Sequence, residues 1–504
     1  MTAPGTDRTY KHPDFRKRLE DQGKLPRRER RKRDRKVPVR HYDERPNVLW
    51  LMTDQYRGDM MGFLGHPAVK TPNLDRLAAQ GVAFTRSYCT SPVCHPSRAS
   101  MMTGMHLPHH GALVNGMATD QGLVTLPQLL AAAGYRTANL GKTHCGFSTH
   151  EIFEYNANAP DVFGATKPSD VAFDPDIYPD DLTFIANEVC DNSDRVLYGT
   201  YPGPVPTTKS YRLATKAAQW LYYHDDPRPF FLRVSFDDPH PPVVPPPEFA
   251  SMYSPDDVPE DLLSGFRESF AQKTQTVRDY AALKGLTEIS EEQHRMHAAR
   301  YMALCSHVDA QIGRVLEALD EYGFADNTLV IYNSDHGHMI GEHGLSHKHF
   351  IMYEGVNRIP TILRWPGRLP EGRQSDALID GSDLAPTVCE ALNVDMPPCD
   401  GRSFLAVAEG KHETHREQVV AQYDDFCFSL TMQRYNIIKY DKDTDDVWKL
   451  YDLERDPCEK HNRWDDPALR ATRDDLLGRL QQWRLKMGAA RETAKLETRA
   501  TEDR

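Results

Sequence analysis

From Pro46 onward the chain alternates helix-like and strand-like patterns of apolar residues. NVLWLMTD, residues 47–54, is a short continuous apolar run of the kind that forms a strand buried on both faces. TPNLDRLAAQGVAF then spaces its apolar residues as a helix does, with Thr71 as N-cap, Pro72 at the first helical position and Gly81 as the stop. TLPQLLAAAGYRTANLGKTH reads as helix, a turn at Gly134, and strand. YRLATKAAQWLYYHDDPRPFFLRVSFDDPH repeats the order, and HAARYMALCSHVDAQIGRVLEALDEYGFADNTLVIYNSDHG repeats it once more. This alternation predicts an α/β domain whose mostly parallel sheet is covered by helices on both faces. Later, VVAQYDDF, FSLTMQRYNIIKY and DVWKLYDL read as consecutive strands. The charged end reads as a helix followed by a mobile tail over residues 491–504.

At 504 residues the chain exceeds what one compact core usually holds. The expected division is a basic arm over 1–45, a large domain over 46–400 and a smaller one over 401–490. No apolar run approaches the roughly 20 residues needed to cross a bilayer, so no membrane partner is expected. The start of the chain has no apolar stretch of the kind a secretory signal carries. Nine cysteines without CxxC pairs suggest neither a disulfide framework nor a zinc knuckle, and a reduced, cytoplasmic protein is the simplest expectation. Charge changes the picture at one end only. Residues 1–45 hold 16 Lys and Arg against 8 Asp and Glu, in a chain whose net charge is −12. RRERRKRDRK, residues 27–36, is polar all round, and no aromatic residues interleave it as single-strand nucleic-acid binders require. It is therefore read as a subunit contact in a homo-oligomer, with no nucleic acid as partner.

The candidate chemistry lies where the strands end. The first ends in Asp54 and Gln55, the second in Lys142 and His144, the third in His240, the fourth in Asp335 and His336. Open α/β sheets bind ligands at the carboxyl ends of their strands, so these groups are expected to share one site. Asp54, Asp335 and the Gln55 amide offer the hard oxygens that Ca²⁺ or Mg²⁺ prefers, and the His336 imidazole would admit Mn²⁺. An Asp–His pair joined by a hydrogen bond without any metal is the alternative, which spacing leaves open. In SYCTSPVCHPSRASMMTG, residues 87–104, Pro96 suits the first turn of a helix that stops at Gly104. Cys94 then falls just before a helix N-terminus, where free N–H groups favour negative charge, and Arg98 adds a fixed cation. A thiolate nucleophile is the direct inference.

CHPSRASMMTG also resembles the sulfatase motif C-x-P-S-R-x-x-x-x-T-G, whose cysteine a dedicated enzyme oxidises to formylglycine. NVLWLMTDQYRGD, TPNLDRLAAQGVAFTRSYC, LGKTH, DDPHPPVVPP, DNTLVIYNSDHGHMIGEHGLSHK and YDLERDPCEKHN resemble further segments of type I sulfatases, in family order, from residue 47 to about 462. The resemblance implies an alkaline phosphatase-like three-layer α/β/α sandwich with a mixed, mostly parallel sheet as the catalytic domain. It implies a smaller C-terminal domain with a short antiparallel sheet and a helix. The implied activity is hydrolysis of a small-molecule organic sulfate ester, after maturation by a formylglycine-generating enzyme. By the same resemblance Cys94 is the formylglycine precursor, and Asp54, Gln55, Asp335, His336 and residue 94 itself hold one divalent ion, Ca²⁺ ahead of Mg²⁺ or Mn²⁺. Gln55 stands where many sulfatases have a second Asp. Arg98 matches the motif arginine that orients the hydrate, and Lys142 and Lys348 the two lysines that hold sulfate oxygens. His240 matches the histidine near the leaving group, His144 the one beside the hydrate, and Asn115 a polar residue lining the pocket.

Two other readings are weighed against this one. A phosphonate monoester or phosphodiester hydrolase of the same superfamily is disfavoured by Lys142 and His144, where such hydrolases carry uncharged hydroxyl residues. A non-catalytic metal-binding relative should lack a catalytic group, and none is lacking. The substrate alcohol would be chosen by loops such as residues 264–290. Asp424 and Asp425, with Tyr423, Phe426 and Phe428 around them, are read as an acidic turn in a surface hairpin before a site for a cationic or planar group.

Overall fold

The structure, a computed structural model, describes residues 44–157, 183–184, 196–263, 266, 270, 273–441 and 448–502, of which 183–184, 196–197 and 489–502 are described by backbone alone. The expected basic arm therefore lies outside the described residues except at its last two positions, and so do the side chains of the expected tail.

Among the described residues nine strands form the central sheet. In chain order they are β1 (Asn47–Asp54), β2 (Val82–Tyr88), β3 (Arg136–Gly141), β4 (Tyr155–Ala157) and β5 (Phe230–Pro239). There follow β6 (Thr328–Ser334), β7 (Arg358–Arg364), β8 (Arg373–Ser375) and β9 (Ile379–Asp380). The spatial order is β8-β2-β7-β6-β1-β5-β3-β4, with β9 also beside β2. Every pairing is parallel except those of β7, which runs against both β2 and β6. The sheet is mixed and mostly parallel, as expected.

The apolar run of β1 explains why this strand is central. Its side chains alternate between two separate apolar clusters: Leu49 and Leu51 belong to one, Val48, Trp50 and Met52 to the other. Each buried side chain of this size contributes roughly 1.5–3 kcal/mol, so a one-residue slip would put the wrong set in each cluster. On the Leu49 side lie helices α1 (Pro72–Ala79), α4 (Lys209–Tyr223) and α5 (Glu291–Glu321). On the Trp50 side lie α2 (Cys94–Thr103), α3 (Leu126–Ala132) and α6 (Leu384–Ala391). The result is three layers. Thr71 precedes α1 as expected but does not cap it; its hydroxyl donates to Asp75 instead. The cap comes from α5, where the Asp309 carboxylate accepts from the N–H groups of Asn73 (3.2 Å) and Leu74 (2.8 Å).

Beyond residue 400 a four-stranded antiparallel meander forms from β10 (Gln418–Tyr423), β11 (Cys427–Met432), β12 (Tyr435–Tyr440) and β13 (Trp448–Asp452). FSLTMQRYNIIKY thus supplies two strands, parted at Gln433 and Arg434, whose side chains pair with Asp376 and with Asp452 at the end of β13. One face packs Val420, Leu430, Ile437 and Leu450 under Leu476 and Leu480 of α7 (Arg470–Glu502). The other face joins Tyr353 and Val356, just before β7, in a shared apolar cluster. Among the described residues no helix is long and apolar enough to cross a membrane.

Candidate active site

The carboxyl ends of β1, β3, β5 and β6 converge on the first turn of α2. This helix begins at Cys94 itself, one residue earlier than expected, with Val93 in extended backbone as its N-cap. Gly104 ends it in the left-handed region (φ 71°), as expected. Every residue of α2 is buried.

Ligand atoms of Asp54, Cys94, Asp335 and His336 lie within 4.8 Å of one another, all on buried residues. Arg98, one turn into α2, ties the two carboxylates together: its Nε donates to Asp335 Oδ2 (2.6 Å) and Nη2 to Asp54 Oδ2 (2.9 Å). Asp335 Oδ1 accepts the backbone N–H groups of Gln55 and His336, each at 2.9 Å. The His336 ring makes no hydrogen bond to the Asp335 carboxylate, its Nε2 standing 3.8 Å from Asp335 Oδ1. Its Nδ1–H donates to the Gly337 carbonyl (2.9 Å), leaving Nε2 3.2 Å from Cys94 Sγ and 3.4 Å from Lys348 Nζ. Gln55 sits in left-handed backbone (φ 66°), its amide nitrogen bonded to His338 Nδ1. Its buried Oε1 has no hydrogen-bond partner among the described residues. Two carboxylates, one imidazole whose Nε2 faces the same cluster and one orphaned amide oxygen fit a divalent cation of hard or borderline character.

Cations surround the sulfur. Lys348 Nζ is 3.0 Å from Cys94 Sγ, and Lys142 Nζ is 3.8 Å from Sγ and 2.5 Å from Asp54 Oδ2. Burial alone would raise the Cys94 thiol, but Lys142, Lys348 and His336, with a hydrogen bond from His144, pull it well below the usual thiol value. Burial and the Cys94 charge would likewise raise Asp54; Lys142, His240 and Arg98 hold it below the usual carboxylate range. Lys142 is itself raised, because Asp54 and Cys94 outweigh the burial that would lower it. His144 is exposed at the rim, in left-handed backbone, its ring 5.5 Å from that of His95. His240 follows β5 and donates Nδ1–H to the Pro241 carbonyl (2.6 Å), so Nε2 is its working nitrogen. The structure thus brings all of these candidates to one sheet edge.

Asn115 accepts from the His95 backbone N–H (3.0 Å) and so caps the first turn of α2. The hairpin turn of Asp424 and Asp425 docks by the Asp424 N–H on the Leu113 carbonyl (3.1 Å). Tyr423 and Phe426 pack against Phe350, two residues past Lys348. Parts of the 264–290 loop lie outside the described residues. Sequence reasoning missed His338, which fixes the Gln55 amide, and Arg233, a fully buried guanidinium behind Lys142. Arg233 did carry a signal: it is a lone charge inside FFLRVSF, and strands buried on both faces rarely hold one.

A three-layer sandwich with this constellation at the carboxyl edge of its sheet defines a hydrolase of alkaline phosphatase-like fold. A family model described as Sulfatase matches residues 46–394, and one described as N-sulphoglucosamine sulphohydrolase, C-terminal, matches 341–486. The chain belongs to the sulfatase family and is a sulfuric ester hydrolase. It is 30% identical over 447 residues to an arylsulfatase of Clostridium perfringens, covering 83% of this chain and 90% of that protein. It is also 30% identical over 498 residues to the multifunctional alkaline phosphatase superfamily protein PehA of Trinickia caryophylli, covering 88% and 95%. Among solved structures it is similar to the phosphonate monoester hydrolase of Agrobacterium radiobacter, with a TM-score of 0.74, 25% identity and coverage of 88% and 96%.

Proposed function

We propose that the protein cleaves an organic sulfate ester at residue 94, with Cys94 converted to formylglycine and one divalent ion held by Asp54, Gln55, Asp335, His336 and residue 94. One observation carries this reading: a buried sulfur with Lys348 at 3.0 Å, His336 at 3.2 Å and Asp54 at 3.6 Å. A cysteine kept for packing would have apolar neighbours. The ion would supply Lewis acidity at the reacting group, and the mainly oxygen donors favour Ca²⁺, with Mg²⁺ or Mn²⁺ as alternatives. Formylglycine would supply, as its hydrate, one hydroxyl to attack sulfur and a second whose deprotonation releases sulfate. The chain's own residues do the rest. Lys142 and Lys348 hold the non-bridging oxygens where charge accumulates. His240, held through Nδ1, gives the leaving alcohol a proton from Nε2, and His144 at the rim removes one from residue 94. Arg98 keeps both carboxylates in one orientation.

The same reading takes a formylglycine-generating enzyme as maturation partner. The basic segment 1–45, set against an acidic remainder, supports a homo-oligomer, and the free state of the eight described cysteines supports a reduced, cytoplasmic location. Phosphonate monoester hydrolysis is the second reading, favoured by the likeness to the Agrobacterium enzyme. The test is a panel of sulfate, phosphonate and phosphate esters on metal-replete, modified enzyme. A kcat/KM highest for a sulfate ester is expected; outright preference for a phosphonate replaces the first reading by the second.

A further inference from the structure

Arg233 lies on β5 in register with Trp50 of β1 and Asn139 of β3, at the middle of the sheet. It is fully buried. Among the described residues no carboxylate comes within ion-pair distance of it. Its Nη1 donates to Asn139 Oδ1 (2.8 Å) and to the Lys142 carbonyl (2.9 Å), and its Nη2 faces Met52 Sδ (3.0 Å) and Ser235 Oγ (3.4 Å). The guanidinium stands 5.2 Å from the Trp50 ring, and Nε has no hydrogen-bond partner among the described residues. Burial and the nearby Arg98 charge push its pKa down.

An unpaired buried cation is costly, and well-packed apolar side chains at such positions are often as stable or more so. What the cation touches suggests what it is for. Arg98 Nη1 donates to the same Lys142 carbonyl (3.1 Å) and to the same Ser235 hydroxyl (3.0 Å). Two guanidinium groups thus share one backbone oxygen, despite their repulsion. The turn they grip is tight: Gly141 has φ +87°, and a Cβ there would meet the Ser235 carbonyl at 2.2 Å. The Lys142 N–H donates back to that carbonyl at 3.2 Å. With both backbone polar groups of Lys142 held, its side chain leaves the sheet toward Asp54 and Cys94.

We propose that Arg233 is a positioning residue for sulfate ester hydrolysis: it holds the Lys142 carbonyl and so aims the Lys142 ammonium at the reacting group. The inference rests on the reading of Lys142 as a sulfate-holding cation. Arg98 reaches the carbonyl only through Nη1, at 3.1 Å, while its Nε and Nη2 hold the two carboxylates, so without Arg233 the carbonyl loses the shorter of its two guanidinium contacts.

The experiment is a double-mutant cycle on mature, metal-loaded enzyme, with Arg233→Met, Lys142→Ala and the pair, read by kcat and KM for 4-nitrophenyl sulfate and by thermal midpoint. Arg233→Met should lower kcat/KM about tenfold, chiefly in kcat, with a midpoint unchanged or raised. In the Lys142→Ala background the same substitution should cost less than about twofold, because no ammonium remains to be aimed. Equal losses in the two backgrounds, wild-type kinetics in Arg233→Met, or a midpoint that falls together with activity would each overturn the proposal. If Arg233→Met does not fold, Arg233→Lys runs the same cycle under the same criteria, apart from the midpoint. A Lys142→Ala enzyme with wild-type activity would instead refute the underlying reading of Lys142, and is seen separately in that single variant.

Discussion

Lys142→Ala tests the sulfate-holding role most directly. Its ammonium lies 2.5 Å from Asp54 Oδ2 and 3.8 Å from Cys94 Sγ, so the truncation removes a cation from both the carboxylate and the reacting position. A charge-assisted hydrogen bond is worth about 1.5–3 kcal/mol, which converts to a loss of about 10- to 150-fold in kcat/KM. The side chain is 22% exposed, so screening by water places the expectation near the lower end, about tenfold. A sulfate ester has three non-bridging oxygens and a phosphonate monoester or phosphodiester two, so the loss should be smaller for the latter. A second effect has a fixed sign. Lys142 helps to hold Asp54 below the usual carboxylate range, so its removal moves Asp54 upward. Activity that needs the carboxylate must then fail at a higher pH as the solution is acidified. The assay is kcat/KM from pH 4 to 9 for a sulfate and a phosphonate ester on wild type and variant. Equal losses for both esters with an unmoved acid limb would refute the reasoning.

Peptide mass spectrometry of active enzyme should find formylglycine at residue 94; full activity from entirely unmodified cysteine would contradict this. Asp335→Asn should weaken divalent-ion binding, measured by calorimetry on metal-stripped protein, together with activity, because it removes charge while keeping shape. Arg98→Met should destabilise the metal-free protein by about 3 kcal/mol in urea titrations, since it takes their shared guanidinium from two buried carboxylates, and added metal should recover part of the loss. The Asp54 share of that difference is present above the ordinary carboxylate pKa of about 3.9 and is lost as pH falls toward the depressed folded value, so the gap should be widest near neutrality. Removing residues 1–43 should reduce the oligomer seen by light scattering and leave turnover of a small sulfate ester nearly unchanged.

The parts of the site legible in the sequence are those in which a polar group follows directly on an apolar run. Asp54 after NVLWLMT and Asp335 after TLVIYNS stand out because strand ends in this architecture are where ligands sit. The helix that presents Cys94 was legible from Pro96 and Gly104. What stayed hidden depends on strand register. Arg233 meets Asn139 and Trp50 only because β5 lies between β1 and β3, an order that no local pattern encodes. Asp309 caps a helix 235 residues away, and Thr71, the local candidate, is occupied with Asp75. The reversal of β7 has a similar origin. The segment between β6 and β7 carries Asp335, His336 and Lys348 and contains no helix long enough to make a crossover, so the strand returns antiparallel.

The burial of α2 bears on the order of events in the life of the chain. Cys94 is 2% exposed, lies at the head of a helix with no exposed residue, and is approached by two lysines. The proposed maturation enzyme would have no access to that sulfur once the sandwich has closed. On the proposed reading, conversion of Cys94 would therefore belong to the nascent chain, before β1 and β6 bring Asp54 and Asp335 to Arg98. Folding and maturation would then compete, and a polypeptide that folds first would stay in the thiol form. Thiol-form protein, once purified, should gain activity from the maturation enzyme only after being unfolded and refolded in its presence.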